Sequence, residues 1–185
     1  MAREHEYQLV ETCRRLSGLG MMPASDGNCS IRLDETTMLI TPTGVRKEQL
    51  KPRDLVQVDL ESDEASSRVS TEWRMHARIY QRSPEIQALV HAHPAYLTAW
   101  GLRGEAPDSS LLFETAETVG PIRIIPAQEP GTEAFAEAVA EALGDAGVAI
   151  LANHGAVAVG ASLEEALFRL ERAEHLSQVA SLAGR

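Results

Sequence analysis

The chain has 185 residues, a length that suits one domain burying a substantial core. Its apolar content of 44% and charged content of 24% are those of an ordinary soluble globular protein. A net charge of −10 without a compensating basic stripe argues against a nucleic-acid partner, no apolar run reaches the length of a membrane span, and the start Met1-Ala2-Arg3-Glu4-His5-Glu6 has neither the basic end nor the apolar core of a signal peptide.

In chain order, Tyr7, Val10, Cys13 and Leu16 recur at helical spacing and predict a helix from about Glu4 to Leu19, stopped by Gly20. Cys13 and Cys29 are too few for a disulfide framework and fit a reducing compartment, so the expected location is cytoplasmic. Strand-like pieces follow over Cys29 to Leu33, Met38 to Thr41 and Leu55 to Leu60, separated by loops rich in Ser, Asp, Gly and Pro. Ser62 to Ser70 is polar and reads as a surface loop. From Glu72 to Gln81 the pattern Trp73, His76, Ala77, Tyr80 is helical, ended by Ser83-Pro84. A buried strand then runs into His91-Ala92-His93 and stops at Pro94, with a helix expected from Ala95 to Leu102. Gly104 to Glu117 resists classification. Ile122 to Ile125 reads as a strand, Thr132 to Leu143 as a helix, and Val148 to Leu151 and Ala156 to Val159 as two more strands. Ser162-Leu163-Glu164-Glu165 has the form of a capping box opening a last helix through Leu170 and Leu176. Strands and helices interleave, which predicts an α/β fold, and no repeat or linker divides the chain.

The candidate chemistry lies at strand ends. A strand sends residues i and i+2 to the same face, so His91 and His93 project side by side. The apolar run Val148 to Leu151 ends in Asn153-His154-Gly155. Two histidines from one strand and one from another supply the three-nitrogen set of a catalytic metal site with a position left open, although spacing does not show that His154 approaches the other two. His5, His76 and His175 read as ordinary surface or packing residues. Ser25-Asp26-Gly27-Asn28-Cys29-Ser30 and Thr41-Pro42-Thr43-Gly44 are turn sequences that can also present backbone N–H groups to an anion. Ser70-Thr71 stands before a helix N-terminus, which favours phosphate and equally suits a simple cap. Glu72 in a first helical turn complements the helix dipole, and on spacing alone that reading outweighs proton transfer.

Taken together, Gly27-Asn28-Cys29-Ser30-Ile31-Arg32, Ile40-Thr41-Pro42-Thr43-Gly44-Val45, Ser70-Thr71-Glu72-Trp73-Arg74-Met75-His76, Val90-His91-Ala92-His93 and Asn153-His154-Gly155 resemble, in order and spacing, the class II aldolase/adducin family over nearly the whole chain. The resemblance implies a three-layer α/β/α sandwich with a largely antiparallel central sheet, residues 1–185 forming a single domain. It implies Zn2+, or another divalent transition metal, on His91, His93 and His154, with Glu72 as the catalytic acid/base. Gly27, Asn28, Thr43, Gly44, Ser70 and Thr71 would hold the substrate phosphate. The implied reaction is cleavage of a ketose 1-phosphate to dihydroxyacetone phosphate and an aldehyde through a metal-stabilised enediolate. Relatives are usually homotetramers with active sites between neighbouring subunits.

Decarboxylation of a 3-oxo sugar-acid phosphate and dehydration of methylthioribulose 1-phosphate use the same scaffold. A non-enzymatic adducin-like module would lack the histidines that this chain has. Two departures concern the leaving-group side. Asp108-Ser109-Ser110-Leu111-Leu112-Phe113 contains no tyrosine where a family aldolase supplies one from the adjacent subunit, and the sequence ends at Arg185 without the tail that closes the site in several relatives.

Overall fold

The alternating and continuous apolar runs pair into one seven-stranded sheet in the computed structural model, which describes residues 2–185. In chain order the elements are helix α1 (Ala2–Gly18), strands β1 (Asn28–Arg32), β2 (Thr37–Ile40) and β3 (Val56–Asp59), helix α2 (Trp73–Arg82), strand β4 (Ala88–Ala92) and helices α3 (Ala95–Leu102) and α4 (Phe113–Thr118). Strand β5 (Ile122–Ile125), helix α5 (Glu133–Leu143), strands β6 (Val148–Leu151) and β7 (Gly155–Gly160), and helix α6 (Leu163–Leu182) complete the chain. The spatial order β3-β2-β1-β4-β7-β6-β5 puts β4 and β7 near the centre. Every neighbouring pair is antiparallel except β5 with β6, so the sheet is largely antiparallel as expected.

The strand period of two sorts side chains into two apolar layers. Val90 and Ala92 of β4, Cys29 and Ile31 of β1, and Ala156 and Ala158 of β7 pack with α1, α3 and α6 on one face. Leu89, Val157, Val159, Ala149 and Leu151 pack with α2 and α5 on the other. The result is a three-layer α/β/α sandwich. Among the described residues no helix is long and apolar enough to cross a membrane.

Local signals set the helix starts. Thr132 Oγ1 accepts from the Phe135 N–H at 3.2 Å, and Ser162 Oγ accepts from the Glu165 N–H at 3.1 Å. Glu165 does reach back as a capping box predicts, but its carboxylate accepts from the Ala161 N–H, one residue before the cap. Glu72 is the residue that precedes α2, not a member of its first turn. The stretch Gly104 to Glu117, which resists classification by pattern, contains a short 3-10 turn at Ser109–Leu111 and most of α4. Both are too short to show an amphipathic period, and Asp108 opens the turn by accepting from the Ser110 N–H at 2.9 Å.

Candidate active site

Pairing of β1, β4 and β7 at the sheet centre brings the strand-end residues together. Asn28 stands opposite His91 in the β1–β4 register, and His91 stands opposite Val157 in β7. His91 is fully buried, on the α2/α5 face, and its Nδ1 donates to the Ala156 carbonyl at 3.0 Å. That bond holds the Nδ1 proton and turns Nε2 inward, where it donates to Glu72 when the ring is charged and can bind a metal when the ring is neutral. His93 lies just past β4, where its backbone N–H donates to the Met21 carbonyl at 2.8 Å. His154 sits in the tight β6–β7 connection beside Asn153, whose φ of 61° is left-handed. Gly155 is obligatory there: a Cβ would lie 2.4 Å from the Ala92 carbonyl oxygen and 2.7 Å from His93 Cδ2.

The three rings meet edge to face with centroids 4.7–5.0 Å apart, and each offers a nitrogen within 4.8 Å of the other two. His91 Nε2 and His93 Nε2 are 3.2 Å apart. Zinc with nitrogen bonds of about 2.0–2.1 Å in a tetrahedron needs donor nitrogens about 3.3 Å apart, so this spacing fits such an ion. Glu72 completes the ring of donors, with Oε2 3.2 Å from His91 Nε2 and Oε1 3.4 Å from His154 Nε2. Two buried polar atoms here, Glu72 Oε1 and His154 Nδ1, have no aligned hydrogen-bond partner. An orphaned carboxylate oxygen facing neutral nitrogen donors is a setting that a divalent cation satisfies.

The electrostatics agree. Burial pushes the Glu72 carboxyl up, but His91 and His154, with hydrogen bonds from His91 and Asn28, outweigh it and hold the group well below the usual carboxylate range. Burial, then the charge of His91, pushes His154 down to about 4 and lowers His93 as well. Burial also opposes charge on His91, yet the adjacent Glu72 carboxylate overrides it and raises its pKa. The site is therefore an anion set among imidazoles, two of them neutral at pH 7.

A cavity of about 310 Å³ opens over this cluster. Gly27, Asn28, Thr43, Gly44, Ser70, Thr71, Glu72, His93 and His154 all line it, with Ser25, Asp26, Pro42 and Pro130, while His91 lies beneath. Gly27 has a φ of 74°, and a Cβ there would meet the His91 carbonyl oxygen at 2.8 Å. The loops are tied to one another. The Thr43 N–H donates to the Arg68 carbonyl at 2.9 Å, and the Ser70 N–H to the Thr41 carbonyl at 3.3 Å. The Lys47 ammonium, 1% exposed, donates to the carbonyls of Ser25 at 2.7 Å and Val45 at 3.1 Å, bridging the two glycine turns.

Three buried residues behind Glu72 escape the sequence reading. Ser30, His76 and Tyr80 hydrogen-bond in a row to Asn28, and His76, expected to be an ordinary residue, has no exposed surface. A signal for them exists. Asn28 and Ser30 are polar residues two apart in a buried strand, and Glu72, His76 and Tyr80 recur every fourth residue. Two strand residues advance about 6.7 Å and four helical residues about 6 Å, so the two polar columns stay in step. The sequence alone does not say that these columns face each other.

Residues 7–181 match the model of the class II aldolase and adducin N-terminal domain family. The chain is 33% identical over 174 residues to an L-fuculose phosphate aldolase of Escherichia coli, covering 93% of this chain and 80% of that one. It is 31% identical over 176 residues to a 3-oxo-tetronate 4-phosphate decarboxylase of Haemophilus influenzae, covering 92% and 84%. Its fold superposes on the crystal structure of an L-fuculose-1-phosphate aldolase from Thermus thermophilus with a TM-score of 0.88 and 30% identity, covering 98% of this chain and 95% of the other.

Proposed function

The chain belongs to the class II aldolase and adducin family, an enzyme of the carbon–carbon lyase kind, and we propose that it is a zinc-dependent aldolase cleaving a ketose 1-phosphate into dihydroxyacetone phosphate and an aldehyde. The observation that carries this reading is the convergence of His91, His93 and His154 with Glu72 under one cavity whose rim is made of glycine turns and a helix start. That one sheet runs from β1 to β7 across the chain supports reading residues 1–185 as one domain.

In this reading His91, His93 and His154 hold the ion. Bound there, it would supply Lewis-acid stabilisation of the negative charge that the ketone and its neighbouring hydroxyl take up as the carbon–carbon bond breaks. Gly27, Asn28, Thr43 and Gly44 offer turn N–H and side-chain donors to the phosphate, and Ser70 and Thr71 add hydroxyls beside the start of α2, where the helix dipole favours an anion. Anchoring the phosphate fixes the part of the substrate that does not react and so orients the bond that does. Glu72, kept ionised by its neighbours, takes a proton from the carbon beside the carbonyl in condensation and returns it in cleavage.

A second reading is decarboxylation of a 3-oxo sugar-acid phosphate. The observation that favours it is the stretch Asp108 to Phe113, which packs on α6 and offers no tyrosine to a neighbouring subunit's cavity. Carbon dioxide leaves from a carboxylate that has no proton to lose, whereas the aldehyde leaves only as the C4 hydroxyl gives up its proton to a base. The relative named as a decarboxylase is about as similar as those named as aldolases.

Both readings pass through proton transfer at the same carbon, so exchange tests the shared enediolate chemistry and the second product separates the two. Zinc-loaded protein is placed with dihydroxyacetone phosphate in deuterated water, and the C3 protons are followed by NMR. Stereospecific loss of one proton, slowed by about 10²–10⁴ in Glu72→Gln, is expected of either. No exchange from metal-loaded protein sinks both; where exchange occurs, a ketose 1-phosphate formed from dihydroxyacetone phosphate and an added aldehyde marks the aldolase, and carbon dioxide released from a 3-oxo sugar-acid phosphate marks the decarboxylase.

A further inference from the structure

Behind Glu72, buried polar groups form an unbroken line into the interior. Asn28 Nδ2 lies 2.8 Å from Glu72 Oε2, Asn28 Oδ1 2.5 Å from His76 Nε2, His76 Nδ1 2.7 Å from Ser30 Oγ, and Ser30 Oγ 2.8 Å from the Tyr80 hydroxyl. Ser30, His76 and Tyr80 have no exposed surface and Asn28 is 3% exposed, so water does not supply alternative partners. Stability does not call for such a row, because apolar groups of the same shape would fill the space at little or no cost.

The direction of every bond follows from the anion at its end. An ionised carboxylate only accepts, so the Asn28 amide must turn its NH2 to Glu72 and its oxygen to His76. That oxygen needs a donor, which puts the ring proton of the neutral imidazole on Nε2. His76 Nδ1 then accepts from the Ser30 hydroxyl, and Ser30 Oγ accepts from the Tyr80 hydroxyl. All four bonds donate toward Glu72. Were the ring proton on Nδ1, the whole row would reverse and the Asn28 oxygen would oppose the carboxylate.

We propose that His76 is a positioning residue: held in its Nε2-protonated form by Ser30 and Tyr80, it locks the Asn28 amide so that Asn28 donates to Glu72 and fixes the carboxylate over the three histidines. This rests on the acid–base reading of Glu72. His76 touches neither the cavity nor the histidine cluster, and acts only through Asn28.

Two measurements on the zinc-loaded enzyme test it. In protein carrying 15N-labelled histidine, with the His76 signals assigned by their absence from His76→Gln, the wild-type ring is expected to be protonated at Nε2 alone. In Glu72→Gln the new amide can donate as well as accept, so the row is no longer pinned and an Nδ1-protonated population should appear. The second measurement is the rate of proton exchange into dihydroxyacetone phosphate. His76→Leu is expected to lower kcat by about tenfold to a hundredfold, the scale of a small misplacement of a reacting group, while KM changes less than about threefold. His76→Gln, which keeps an N–H for Asn28, should recover most of kcat. An Nδ1-protonated wild-type ring overturns the inference even if His76→Leu does not fold, as does a His76→Leu enzyme with wild-type kcat. A fully active Glu72→Gln instead overturns the acid–base reading, and with it the kinetic half of the inference, while the ring nitrogens still report whether the row is wired as argued.

Discussion

At pH 7 the His76 ring is neutral, because burial, and then the charge of nearby His91, pushes its pKa from 6.5 down to about 3 despite the opposing pull of Glu72. The unfolded chain takes up a proton on this ring below about 6.5, and the folded chain does not until about 3. A depressed pKa stabilises above the unfolded value and is lost as pH falls through the folded one, so this residue makes the fold weaken between about 6.5 and about 3. Thermal melts of chelator-treated protein across that window should decline less steeply for His76→Gln than for wild type; parallel declines would remove His76 as a cause. The same residue marks what sequence could not reveal. His91 and His93 are legible as a pair because a strand of period two stops at Pro94. His76 shares its helix face with Trp73, Ala77 and Tyr80, which reads as core, and the hydrogen-bond partner that gives it meaning is 46 or 48 positions away.

Among the elements, α3 shows how a helix without its own cap is held. Pro94 precedes it and offers no side-chain acceptor, and its sequence Ala-Tyr-Leu-Thr-Ala-Trp-Gly-Leu carries no acidic residue in the first turn. The missing acceptor comes from α6, where the Glu174 carboxylate accepts from the Tyr96 N–H at 3.0 Å and the Leu97 N–H at 2.8 Å. Burial raises the Glu174 pKa, and these two bonds only partly offset it. Glu174→Ala should therefore destabilise the fold by about 1–3 kcal/mol, read by denaturant unfolding, the scale of leaving half-buried donors unpaired. Glu174→Gln keeps an acceptor oxygen and should lose less; equal losses would mean that packing, not capping, is the cause. Most elements were legible because period and caps are local properties. The helix α4 was not, because six residues with little apolar content give neither, and its position is set by packing on α6. Nor does local pattern announce that β4 lies between β1 and β7, the pairing on which the site depends.

For the whole molecule, the two apolar layers lie above and below the sheet, and the histidine cluster sits at the strand ends beside them. Stripping metal with a chelator should leave the far-ultraviolet circular dichroism unchanged while abolishing exchange activity. The melting temperature should fall only as mass action requires, by about 4 kcal/mol of lost stability if free metal had stood at a thousand times its Kd. Collapse of the helical signal on chelation would show that the ion is part of the core. The central place of β4 has a further consequence, for the time at which the site comes into being. During synthesis Asn28, Glu72, His91 and His93 emerge well before His154, and β4 has only β1 to pair with until β7 follows. A nascent chain halted before residue 154 offers two imidazoles and a carboxylate, a pair of nitrogens that many competing ions can occupy. The third imidazole waits for residue 154 and for β7, so on the proposed reading the choice of metal falls to the assembled sheet and not to the growing chain.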